Sequence, residues 1–158
     1  LATAESCTGG LIARRLTSIA GSSDYFLGGA VTYSNSAKRE ILGVPERLLV
    51  EQGAVSEAVA GSMADGVRRR FSSDFGIGVT GIAGPGGGTE AKPVGLVHLA
   101  LSGADGEVVH RRRVFPGGRR RVQSFAAQWG LEMVRRRLLR DVAAGASETA
   151  EAAGRGDA

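Results

Sequence analysis

The run Ala4-Glu5-Ser6-Cys7-Thr8-Gly9-Gly10 ends a short apolar strand and breaks at once into a glycine-opened helix. A strand that turns directly into a helix must find a second layer to cover that helix, which points to an α/β architecture. The rest of the chain repeats the alternation. Leu1 to Glu5 reads as a strand, and Thr8 to Ile19 carries apolar residues at helical spacing. Phe26 to Ser34 is rich in β-branched and aromatic residues and reads as a second strand. Asn35 is placed to cap a helix through Lys38 to Leu42, stopped by Gly43 and Pro45. Another short helix follows to Glu51, and Ser56 caps a longer one to about Arg70. Phe75 to Ile82 is a third strand.

Beyond the loop Gly84-Pro85-Gly86-Gly87-Gly88-Thr89, the pattern changes. Val94 to Leu101 and Val108 to Phe115 form two strands joined by the turn Gly103-Ala104-Asp105-Gly106, which makes a hairpin. Arg119 to Leu139 is a long amphipathic helix. The expected fold is a three-layer α/β/α sandwich around a mixed, mainly parallel sheet of about five strands. Residues 1–140 read as one domain. Residues 141–158, rich in Ala, Gly and Glu, read as a disordered tail. The sequence opens inside a strand pattern, which leaves room for an upstream segment.

In such sheets ligands bind at the carboxyl ends of the parallel strands. The residues just past the first three strands are Ser6, then Tyr33 with Lys38 beyond it, then Thr80-Gly81. Topology alone makes them neighbours. Ser6 is then either a nucleophile or a helix-capping hydroxyl. Cys7, the single cysteine, is either an alternative nucleophile or a small buried residue. Thr8, Gly9 and Gly10 offer backbone N–H donors at a helix start. One cysteine permits no internal disulfide, and no apolar run approaches the roughly 20 residues that cross a bilayer. Both fit a cytoplasmic setting with no membrane partner.

A nucleophilic serine needs a base. The two histidines, His98 and His110, lie in the late hairpin, away from the parallel-strand edge, which disfavours a Ser-His-Asp arrangement. Of 20 basic residues only Lys38 and Lys92 are lysine. Lysine can lose its proton when buried and arginine cannot, so Lys38 is the candidate base. Tyr33 is placed to relay a proton or orient Lys38, or simply to pack as a strand aromatic. The Tyr33–Lys38 spacing of five does not match the Tyr-x-x-x-Lys pattern of short-chain dehydrogenases.

Gly76 to Gly81 matches G-x-G-x-x-G, but it lies within a strand and no helix follows. Gly81 to Gly86 has P-loop spacing with Gly87 where lysine is required. Both nucleotide-fold readings fail. What remains is a loop with many free N–H groups, suited to an oxyanion or phosphate. Arg119 joins a guanidinium to a helix N-terminus, a pairing that also suits phosphate. Arginine runs at residues 68–70, 111–113, 119–121 and 135–137 give a net charge of +4. Few aromatics interleave them, which argues against a base-stacking platform for nucleic acid. No His/Cys/Asp/Glu cluster has metal-ligand spacing.

Several segments taken together resemble the CinA C-terminal domain family. They are A-E-S-C-T-G-G at 4–10, V-T-Y-S-N followed by Lys38, V-T-G-I-A-G-P-G-G-G-T at 79–89, K-P-V-G-L-V at 92–97 and F-P-G-G-R at 115–119. That family includes stand-alone nicotinamide-nucleotide amidases. The resemblance covers about residues 1–140. It implies a metal-independent amidohydrolase, without cofactor, that converts nicotinamide mononucleotide and water to nicotinate mononucleotide and ammonia. By position it implies Ser6 as nucleophile with Lys38 and Tyr33 activating it. It implies Thr80, Gly81 and Gly84 as pocket elements and Arg119 as a phosphate ligand. It also implies a homodimer or larger. Gly118 and Gln123 depart from the family pattern on the proposed phosphate side. Two alternatives are a non-catalytic nucleotide-binding module and a basic nucleic-acid-binding protein.

Overall fold

The computed structural model of the protein describes residues 1–154, with side chains through residue 146. The chain runs β1 (Ala2–Glu5), α1 (Leu11–Thr17), a 3-10 turn (Ser22–Asp24), β2 (Gly28–Val31), α2 (Asn35–Leu42) and α3 (Glu46–Glu51). It continues through α4 (Glu57–Arg70), β3 (Phe75–Gly81), β4 (Leu96–Gly103), β5 (Val108–Val114) and α5 (Arg119–Gly154). The five strands form one sheet in the order β2-β1-β3-β4-β5. β1 pairs parallel with β2 and β3, whereas β3–β4 and β4–β5 are antiparallel. The sheet is mixed as expected, with parallel and antiparallel pairs in equal number.

Helices cover both faces. Ile12 of α1 and Val122, Ala126 and Met133 of α5 pack on Ile77, Val79 and Leu99. On the other face Val59, Met63 and Val67 of α4 pack on Ala2 and Ala4, with Leu42 and Val44 closing the side. β3 alternates its faces in the usual period of two. The α1/α5 face receives Ile77 and Val79, while Gly76 and Gly78 face α4. A Cβ on Gly76 or Gly78 would overlap the backbone of α4 at Ala64 and Ala60. The glycines read in the sequence as a nucleotide motif therefore serve close helix–sheet approach.

Two local expectations change. The cap of α2 is Ser34, whose Oγ accepts from Ala37 N–H at 3.1 Å, and Asn35 is the first helical residue. The segment from residue 141 continues α5 to Gly154 instead of forming a disordered tail, while residues 155–158 lie outside the described residues. Its Ala and Glu content, which suggested a tail, is equally strong helix-forming composition. Arg137 also pairs with Asp141 one turn on, at 2.9 Å. No helix among the described residues is long and apolar enough to cross a membrane.

The two histidines tie the hairpin to α4. His98 Nδ1 and His110 Nε2 are 3.0 Å apart, and His110 Nδ1 lies 3.1 Å from Glu57 Oε2. Burial, then the neighbouring His110 and Arg112, lower the His98 pKa to about 4. Unfolding raises it to the ordinary value of 6.5. The unfolded chain therefore binds more protons between these values, so stability is complete above pH 6.5 and falls as pH drops toward 4. Denaturant titrations at pH 7 and pH 4.5 are expected to differ by on the order of 2 kcal/mol through this group. A His98→Gln variant should show a correspondingly shallower pH dependence, and an unchanged slope would remove His98 as the cause.

Candidate active site

Ser6 sits one residue past the end of β1 and is gripped by its backbone. Its N–H donates to Val79 O at 3.0 Å, and its carbonyl accepts from Gly9 N–H at 3.1 Å. The Gly9 donor anticipated for a ligand is therefore engaged within the loop. Gly9 and Gly10 have φ of +64° and +93°, which lets the chain reverse from strand to helix in five residues.

The residue before the nucleophile candidate explains why this turn holds. Glu5 is 1% exposed, and its two carboxylate oxygens accept from Ile12 N–H at 3.0 Å and Ala13 N–H at 2.8 Å. It occupies the place a capping side chain would take, because Gly10 at the N-cap has none. Nothing in the sequence reading identified Glu5. The available signal was a carboxylate at the inner end of an apolar strand, directly ahead of a helix whose first residues lack a capping group.

Lys38 projects from the first turns of α2 into the interior and is 1% exposed. Its Nζ lies 3.1 Å from Ser6 Oγ, 2.8 Å from Thr32 O and 3.5 Å from Tyr33 O. No carboxylate pairs with it among the described residues. Burial lowers its pKa from the usual lysine value, opposed only by the weak influence of Cys7. In the neutral amine two N–H bonds remain for the two carbonyls, and the lone pair is left for the Ser6 hydroxyl. This is the arrangement of a base hydrogen-bonded to a nucleophile.

Cys7 is buried, and burial pushes its thiol up to about 12. The thiolate, the reactive form, is thus disfavoured at this position. Gln123 donates from Nε2 to the Cys7 carbonyl at 2.9 Å. The residue singled out as a departure from the family pattern thereby ties α5 to the serine loop.

Ser6, Tyr33, Lys38, Thr80, Gly81, Gly84 and Arg119 line one cavity of about 290 Å³ at the carboxyl edge of the parallel strands. Ala54 and Val55, which sequence reasoning missed, complete a wall of it. Thr8, Gly9 and Gly10 line a separate hollow with Arg14 and Gln123, so the structure does not bring them to the Ser6 cavity. Thr80 Oγ1 donates to Ala54 O at 2.8 Å and so holds the cavity wall. Tyr33 reaches Lys38 only through its carbonyl. Its hydroxyl accepts from Arg119 Nη2 at 2.7 Å, while Arg119 Nη1 donates to Gly84 O at 3.1 Å. Arg119 thereby bridges the cavity rim between β2–α2 and the glycine loop.

A three-layer α/β domain with a serine–lysine pair at its carboxyl edge is what these observations define. The family model described as CinA C-terminal domain matches residues 1–138. A CinA-like protein of Acidobacterium capsulatum is 58% identical over 139 residues, covering 88% of this chain and 33% of that protein. A CinA-like protein of Mycobacterium sp. (strain JLS) is 53% identical over 138 residues, covering 87% and 33%. The chain thus spans about a third of the length of these curated relatives. The crystal structure of competence/damage inducible protein CihA from Agrobacterium tumefaciens superposes with a TM-score of 0.82 at 51% identity, covering 84% of this chain and 81% of that one. Competence damage-inducible protein A from Klebsiella pneumoniae superposes at 0.84 with 36% identity, covering 87% and 85%. The chain belongs to the CinA C-terminal domain family.

Proposed function

We propose that the protein is an amidohydrolase that deamidates nicotinamide mononucleotide to nicotinate mononucleotide and ammonia. The observation that carries this reading is the buried, carboxylate-free Lys38 amine at 3.1 Å from Ser6 Oγ. Ser6 Oγ attacks the amide carbon as Lys38 Nζ takes its proton. The carbonyl oxygen becomes an oxyanion and needs donors. Ile82 N–H bonds to Leu96 O on the β4 side, so the preceding Gly81 N–H points to the β1 side, where Ser6 lies just beyond the strand end. It is the donor we assign to the oxyanion.

Collapse of the tetrahedral adduct breaks the C–N bond, and the nitrogen leaves as ammonia with the proton from Lys38. The resulting Ser6 ester is cleaved by a water that gives one proton to Lys38, which returns it to Ser6 Oγ as the carboxylic acid departs; the acid then ionises and its proton passes to the ammonia. Atoms and charge balance without another reactant. Arg119 supplies cationic charge at the rim for the nucleotide phosphate, which competes with the Tyr33 hydroxyl for the guanidinium.

Purified protein incubated with nicotinamide mononucleotide is expected to release ammonia and nicotinate mononucleotide in equal amounts. Folded protein that releases neither would sink the proposal.

A further inference from the structure

We propose that the outer edge of β5 is a docking site for an extended acidic peptide segment, bound by strand addition. β5 is the last strand of the sheet and pairs only with β4. Its flanking bonds, Phe115 N–H to Gly95 O and Gly103 N–H to Glu107 O, fix the parity of the ladder. Odd-numbered residues bond to β4. The N–H and C=O groups of Val108, His110, Arg112 and Val114 therefore point outward, away from β4 and with no strand beside them.

Two of the four outward carbonyls are covered by side chains. Arg111 Nη1 donates to His110 O at 2.7 Å, and Arg113 Nη1 donates to Arg112 O at 3.0 Å. Among the described residues none of Arg111, Arg112 and Arg113 pairs with a carboxylate, whereas Arg136, Arg137 and Arg140 on α5 all do. The middle of the edge is thus covered by its own arginines. Carboxylates arriving beside it would draw the guanidinium groups away and release the carbonyls for a new strand. A neutral or basic segment has no such means of opening it.

A second feature lies beside the edge. Between β5 and α5 a cavity of about 160 Å³ has a floor of Leu101, Val109, Trp129 and Met133, with Arg111 and Arg136 at its margin. An added strand sets every second side chain on the α5 face, where an apolar residue beside Val109 would meet this cavity and acidic residues two and four positions along would meet Arg111 and Arg113, which share that face. The occupant is accordingly an extended segment whose α5-facing positions carry one apolar residue and then acidic ones. Backbone pairing favours a peptide over nucleic acid, which offers no amide ladder.

The test uses the whole chain and a fluorescein-labelled peptide matched to the seven residues of β5, with valine, glutamate and glutamate at successive alternate positions and threonine between them. Anisotropy should show saturable binding, weakened about tenfold or more by N-methylation of alternate peptide nitrogens and by Arg111→Glu with Arg113→Glu. Hydrogen exchange at the amides of Val108, His110, Arg112 and Val114 should slow on binding. Equal binding of the methylated peptide, tighter binding of a single-stranded oligothymidylate, or no saturation by about 1 mM peptide would each overturn the proposal.

Discussion

Replacing Lys38 by methionine is expected to lower ammonia release from nicotinamide mononucleotide by about a thousandfold or more, as loss of a general base acting on a nucleophile does. Ser6→Ala should fall equally far, and the double variant little further, because the two groups act as a unit. Methionine keeps the apolar stem that Lys38 buries, but it leaves Thr32 O and Tyr33 O without their donor. A thermal melt of Lys38→Met therefore belongs beside the assay, so that loss of fold and loss of chemistry are read separately. The pH profile carries the sign. Lys38 acts as base only when neutral, and burial lowers its pKa, so kcat/KM should rise with pH and level off at a midpoint below the ordinary lysine value of 10.5. A folded Lys38→Met protein that retains turnover would exclude the amine as base.

Glu5→Ala is expected to destabilise the protein by about 3 kcal/mol, because one buried and one partly buried N–H group lose a charged acceptor. For a domain of this size that lowers Tm by roughly 10 °C. Activity should fall further than the loss of folded protein explains, since Glu5 holds the start of α1 against the loop that carries Ser6. Glu5→Gln keeps one acceptor and turns the other toward Ile12 or Ala13 as a donor, so it should recover only part of the stability. A Glu5→Ala protein with unchanged Tm would show that water replaces the carboxylate at those amides.

The mixed sheet and the gathering of Ser6, Tyr33, Lys38 and Thr80 could be read from the chain, because parallel strands put their carboxyl ends on one edge whatever the side chains are. The Ser6–Lys38 contact was approachable for a different reason: histidine is absent from that edge, and lysine is rare in an arginine-rich chain. Glu5 and Gln123 were not approachable. A carboxylate beside a polar run looks solvated until the helix that covers it is placed, and Gln123 meets Cys7 across 116 residues. Tyr33 shows the same limit in finer form. Its position was anticipated, but the direction of its hydroxyl, toward Arg119 and away from Lys38, depends on where α5 begins. Gly9 shows a further limit: a glycine-rich turn advertises free amides, and this turn closes that one on Ser6 itself.

The absent side chains of β3 have a consequence for how this pocket can be altered. Where Gly76 and Gly78 meet its backbone, α4 rests directly on β3 with no strand side chain between them to thin or thicken. Ala54 and Val55, just ahead of α4, are thereby held at a set height over Thr80. Remodelling toward a bulkier substrate has little to gain on that side. The adjustable wall is the glycine loop that Arg119 clips to the rim, where length and sequence can change without lifting a helix from the sheet.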